Sequence, residues 1–106
     1  MTMQKIGFKM KLFPGYAEEY KRRHDEIWPN LVLLLKEAGI MDYSIFLDEE
    51  TNTLFGVFEV QEPILLEDLP KNAIMQEWWR YMSDIMETNP DHSPVSMLLK
   101  EVFYLP

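Results

Sequence analysis

Lys5-Ile6-Gly7-Phe8-Lys9-Met10-Lys11-Leu12 sets an apolar residue at every even position and lysine or glycine at every odd one. Successive side chains of extended backbone point to opposite faces, so this alternation predicts a half-buried strand over residues 5–12. Phe13-Pro14-Gly15 closes it, and from residue 16 the period changes. Tyr16, Tyr20, His24, Ile27, Leu31, Leu34 or Leu35, and Ala38 recur at steps of three or four, one stripe along a helix over residues 16–38. Glu18, Glu19, Arg22, Asp25 and Glu26 take the opposite side. Pro29 has no N–H for the carbonyl of Asp25, which predicts a kink or a split there, and Gly39 supplies a C-terminal stop.

Working outward, residues 41–48 alternate again, with Tyr43, Ile45 and Leu47 on one face and Asp42, Ser44, Phe46 and Asp48 on the other. Residues 49–52 suit a hairpin loop, and residues 53–60 a returning strand that is apolar on both faces and therefore central. A short helical stretch over residues 64–69 ends at Pro70. Asn72 is the expected N-cap of a second long helix over residues 73–86, whose wide stripe is Ile74, Met75, Trp78, Trp79, Met82, Ile85 and Met86. After a two-proline loop, Asn89 to Pro94, a last strand is expected over residues 101–105. The order β-α-β-β-α-β predicts an α+β, ferredoxin-like fold: a four-stranded antiparallel sheet with both helices on one face, in a single domain spanning residues 1–106. One sheet face then lacks a cover, and a second chain packing sheet to sheet would supply it.

Composition narrows the chemistry. In 106 residues there are 10 Lys plus Arg against 18 Asp plus Glu, a net charge of −8 that repels phosphate backbones and argues against nucleic-acid binding. The absence of cysteine removes thiolate nucleophiles, disulfides and cysteine metal sites. Two histidines without ligand spacing argue against a transition metal, and 4 unclustered glycines offer no phosphate-cradling loop. The N-terminal residues do not read as a secretory leader, and the apolar run Leu31 to Leu35 is far short of a membrane span, so a cytoplasmic protein is expected.

Two places stand out. Tyr20 and His24, four apart, share the apolar helical face, which puts an imidazole where leucine is expected. Such a histidine is either a hydrogen-bonded core residue or a group that gives and takes protons near neutrality. Trp78-Trp79 are adjacent, so their indoles diverge by about 100° and form an L-shaped wall. They suit the flat C–H face of a sugar, or else fill a core or an interface. Tyr43 offers a further ring and hydroxyl. Arg22 and Arg23 read as solvated partners of Glu18, Glu19 and Glu26, and His92 beside Asp91 as part of a turn.

The ordered set Glu19-Tyr20-Lys21-Arg22-Arg23-His24 with Ile27-Trp28-Pro29, then Asp42-Tyr43-Ser44-Ile45-Phe46-Leu47-Asp48, then Trp78-Trp79-Arg80-Tyr81-Met82 resembles the L-rhamnose mutarotases. Asn89-Pro90-Asp91, Ser93-Pro94-Val95 and Glu101-Val102-Phe103-Tyr104-Leu105-Pro106 extend the resemblance nearly end to end. It implies a dimeric α+β barrel that interconverts the α and β anomers of L-rhamnose without a cofactor or metal. By that resemblance His24 is the proton donor, and Tyr20, Tyr43, Trp78 and Trp79 contact the sugar. His92 stands where the family pattern has asparagine, which argues against a catalytic role for it. A non-catalytic sugar-binding module and a cofactor-free oxygenase of the same barrel type are the competing readings.

Overall fold

The computed structural model describes residues 3–106; the reading of the N-terminus as free of a leader involves Met1 and Thr2, which lie outside them. Four strands, β1 (Gln4–Lys11), β2 (Ile40–Asp48), β3 (Thr53–Val60) and β4 (Ser96–Leu98), form one antiparallel sheet in the order β2-β3-β1-β4. The helices are α1 (Ala17–Asp25), α2 (Pro29–Glu37) and α3 (Ala73–Met82), with a 3-10 stretch over Pro63–Lys71. The expected α+β, ferredoxin-like architecture is present.

The alternation of β1 places Met10 and Leu12 in the core, against Leu54 of β3, Leu31, Trp78 and Met82 of the helices, and Ile85 and Met86 beyond α3. A smaller cluster of Ile40, Phe58 and Val60 continues the core along the sheet. Pro29 splits the helix as the missing N–H requires: Trp28, held extended before the proline (φ −63°, ψ 130°), separates α1 from α2. Gly39 follows α2 at φ +89°, the left-handed conformation that suits glycine at a helix stop. The Asn72 side chain accepts from the Ile74 N–H at 2.8 Å and caps α3.

Two expected boundaries are corrected. α3 ends at Met82 rather than running through residue 86. Ile85 and Met86 stay buried, but as an extension of the sheet: Phe13 N donates to the Ile85 carbonyl at 2.9 Å, and Met86 bridges Leu12. The same apolar residues that fit a helical stripe are thus used beside the end of β1. The last strand is Ser96–Leu98, not residues 101–105. Phe8 pairs with Leu98 and Met10 with Ser96, and Leu99 N still reaches the Gly7 carbonyl at 2.8 Å. Continuing that register would set Glu101 and Val102 opposite Lys5 and Gln4, but past Leu99 the chain leaves β1, and a cavity lined by Lys5, Ile6, Gly7 and residues 98–101 lies between them. Val102, Phe103 and Leu105 are consequently more than three-quarters exposed.

β3 is central, as expected, but its two faces differ. Leu54, Gly56, Phe58 and Val60 are buried under the helices, whereas Phe55 on the other face is 38% exposed. Phe46 and Met97 share that open outer face and are 66% and 61% exposed. Among the described residues no helix is long and apolar enough to cross a membrane.

Candidate active site

The last turn of α1 brings its apolar stripe against α3. Tyr20 is buried, and the His24 ring stacks on it with centroids 4.3 Å apart and planes 27° apart. His24 Nδ1 lies 3.0 Å from the Tyr20 carbonyl oxygen. A carbonyl only accepts, so Nδ1 carries the proton and Nε2 is left with its lone pair in the neutral ring. On its other side His24 meets Trp78 edge-on, at 5.3 Å and 89°. Burial holds the imidazole below its ordinary 6.5, outweighing the Tyr20 carbonyl and the nearby Asp25, both of which favour the charged form.

Trp78 is fixed from behind. Trp28 packs on it at 5.1 Å and Tyr81 at 5.6 Å, and Trp28 and Tyr81 lie 5.7 Å from each other. Burial is also the main influence on the two phenols. It pushes Tyr20 well above the usual range, with the neighbouring Tyr43 adding to the effect, and raises Tyr43 to about 12. Tyr43 keeps 39% of its surface exposed. It belongs to the same side of the sheet through contacts with Phe8 at 6.1 Å and Phe58 at 5.3 Å.

Four of the five expected residues are therefore linked: His24 touches Tyr20 and Trp78, and Tyr43 is close enough to bias the Tyr20 phenol. Trp79, turned away from Trp78 as adjacent helical positions require, is half-buried against the main core. Among the described residues it makes no ring contact with His24 or Tyr20. A cavity of about 390 Å³ lies between β1, Val57 and residues 98–101 and contains none of the five.

A family model described as L-rhamnose mutarotase matches residues 5–105. The chain belongs to the L-rhamnose mutarotase family. It is 60% identical over 103 residues to an L-rhamnose mutarotase of Sinorhizobium fredii, covering 97% of this chain and 99% of the relative. The crystal structure of L-rhamnose mutarotase FA22100 from Formosa agariphila is 51% identical, with a TM-score of 0.91 over 97% of this chain and 99% of that one. A Methanosarcina mazei protein at 16% identity and TM-score 0.63, covering 95% of this chain and 94% of that one, shares the fold alone.

Within this mutarotase scaffold, one expected surface residue is not on the surface. Arg23 is 8% exposed. Its guanidinium donates to the Tyr81 carbonyl at 2.7 Å, to Asp84 Oδ1 at 2.9 Å and Oδ2 at 3.2 Å, and to Glu19 Oε2 at 2.7 Å. It also lies 4.4 Å over the Tyr81 ring, so it ties α1 to the end of α3 beside His24. Arg22, by contrast, pairs in the open with Glu19 and Glu26. No sequence signal separates the two arginines except that residue 23 borders the Tyr20–His24 stripe. Trp28 was legible only as part of the family pattern. His92 sits in a turn at φ +71°, its N–H on the Asn89 carbonyl at 2.9 Å, while Asp91 accepts from Ser93. Among the described residues no three His, Cys, Asp or Glu side chains gather as a metal site.

Proposed function

We propose that this chain, acting as one domain, interconverts the α and β anomers of L-rhamnose without a cofactor, with His24 as the proton donor. The observation that carries the reading is the His24 ring, tied at Nδ1 to the Tyr20 carbonyl and set between Tyr20 and Trp78, in a chain matched to the mutarotase family over residues 5–105. A shared fold would leave the oxygenase reading open; the end-to-end family match favours mutarotation.

Opening a hemiacetal ring requires a proton on the ring oxygen and removal of another from the anomeric hydroxyl. The C1–O5 bond breaks as the carbonyl forms, the aldehyde end turns, and closure on its other face reverses both transfers. With Nδ1 committed to a carbonyl, Nε2 is the atom through which His24 exchanges a proton with the sugar. A lowered pKa makes its imidazolium a stronger acid than an ordinary one. Tyr20 and Tyr43 hold their protons at neutral pH, so they serve as hydrogen-bonding partners of sugar hydroxyls rather than as bases. Solvent water or a nearby carboxylate then takes the anomeric proton. Trp78 and Trp79 give apolar faces for the sugar C–H groups and the 6-deoxy methyl.

A second copy completes the assembly by covering the open sheet face with Phe46, Phe55 and Met97, and the homodimer resides in the cytoplasm and binds neither nucleic acid nor membrane. The activity is tested by saturation transfer between the two anomeric proton signals of L-rhamnose at equilibrium. Exchange accelerated by the protein supports it, and unchanged exchange with folded protein contradicts it. Trp79→Ala should weaken sugar binding with the circular dichroism spectrum retained; a collapsed fold would assign that indole to packing alone.

A further inference from the structure

Gly56 lies in the middle of β3, a central strand, where glycine weakens the sheet and leaves nothing to pack. Its backbone does not require it, since the positive-φ glycines are Gly15 and Gly39. Space does. Phe8, directly opposite in the β1–β3 register, lays its ring over Gly56, and a methyl group there would collide with three ring carbons, Cε1 at 2.6 Å and Cε2 at 2.8 Å among them. That ring meets Tyr43 edge-on at 6.1 Å and 68°, and Phe58 at 6.0 Å and 63°; Tyr43 and Phe58 close the triangle at 5.3 Å.

A second feature points to the same side chain. The β2–β3 register runs Met41 with Glu59, then Ser44 with Val57, so Asp42 and Tyr43 together oppose Phe58. Asp42 takes φ +49° to accommodate the extra residue. One extra residue reverses the parity of a strand. Ile40 therefore faces the helices before the bulge, and Tyr43, Ile45 and Leu47 face them after it. Without the bulge, Tyr43 and Ile40 could not both turn inward.

We propose that Phe8 and Gly56 are positioning residues for Tyr43: the bare Gly56 seats the Phe8 ring, and Phe8 with Phe58 clamps Tyr43 where its hydroxyl faces Tyr20 and the sugar. This rests on the reading of Tyr43 as a sugar contact. Neither residue touches the reacting atoms; both act through the tyrosine. The competing account is that the three rings only fill the core.

The two accounts separate in sugar affinity, measured as the L-rhamnose concentration that half-saturates anomer exchange, alongside thermal unfolding. Gly56→Ala should weaken binding roughly three- to tenfold, as for one misplaced hydrogen bond. Once Phe8→Leu is present, adding Gly56→Ala should change affinity little, because the ring it displaces is gone. In a Tyr43→Phe background, Gly56→Ala should leave affinity unchanged while its stability cost persists. Equal affinity losses with Tyr43 and with Tyr43→Phe, or no loss with Tyr43, would overturn the proposal. If Tyr43→Phe alone leaves affinity intact, the sugar-contact reading of Tyr43 fails and the proposal falls with it, while the reaction stands. Should Gly56→Ala not fold, Phe8→Leu with and without Tyr43→Phe carries the same comparison.

Discussion

His24 and Tyr20 are joined twice: their rings stack at 4.3 Å, and the His24 Nδ1–H is directed to the Tyr20 carbonyl at 3.0 Å. The second contact selects the tautomer, and the first fixes the plane of the ring. An imidazole so held presents one nitrogen, Nε2, in one direction. Trp78 of α3 meets the same ring edge-on, and its own position is set by Trp28 and Tyr81. The proposed acid therefore depends on the angle between α1 and α3.

The acid should show itself in the pH dependence. Burial lowers the His24 pKa below 6.5, so the neutral ring prevails at pH 7 and the donor form grows as pH falls. The His24-dependent part of anomer exchange should accordingly rise toward acid, with its midpoint below 6.5. A profile that rises toward alkaline pH would instead make His24 a base. Exchange rates between pH 5 and 8, with those of His24→Ala subtracted, decide the sign.

Arg23 should matter more to stability than Arg22. Arg23→Ala removes a buried guanidinium with bonds to Asp84, Glu19 and the Tyr81 carbonyl, at a cost of about 2–3 kcal/mol. Arg22 is half-exposed, its ion pairs are open to solvent, and Arg22→Ala should cost much less than Arg23→Ala. Urea unfolding of the two variants checks the ranking, and equal midpoints would contradict it.

Asn72→Ala removes the side-chain acceptor of the Ile74 N–H at the start of α3. The loss should be about 1 kcal/mol. Asn72→Asp should recover most of it, because a carboxylate accepts the same bond at the positive end of the helix. Thermal unfolding of both variants measures this.

Phe46, 66% exposed on the open sheet face, should be covered in the proposed homodimer. Phe46→Glu places a charge there and should shift light-scattering mass toward the monomer at micromolar concentration. An unchanged dimer would locate the interface elsewhere.

The alternation of residues 5–12 and the stripe from Tyr16 to Ala38 carried most of the fold, because strand and helix periods depend on which side chains must be buried. Tyr20, His24 and Trp78 were visible for the same reason: a polar ring on an apolar stripe is anomalous in any context. What depended on pairing between distant segments was not visible. Ser96–Leu98 is a strand because it lies along the edge of β1, and residues 101–105 are not because past Leu99 the chain has parted from that edge. Arg23 reads like Arg22 until α3 delivers Asp84 and the Tyr81 carbonyl to it. The bulge at Asp42 likewise appears only when β2 is laid against β3.

The most direct measurement compares anomer exchange of L-rhamnose by saturation transfer for the unaltered chain and for folded His24→Ala. The account predicts that the protein-dependent exchange falls by roughly 10²–10⁴-fold, the contribution of one positioned acid. Exchange that survives the substitution undiminished would contradict it and place the proton chemistry away from His24.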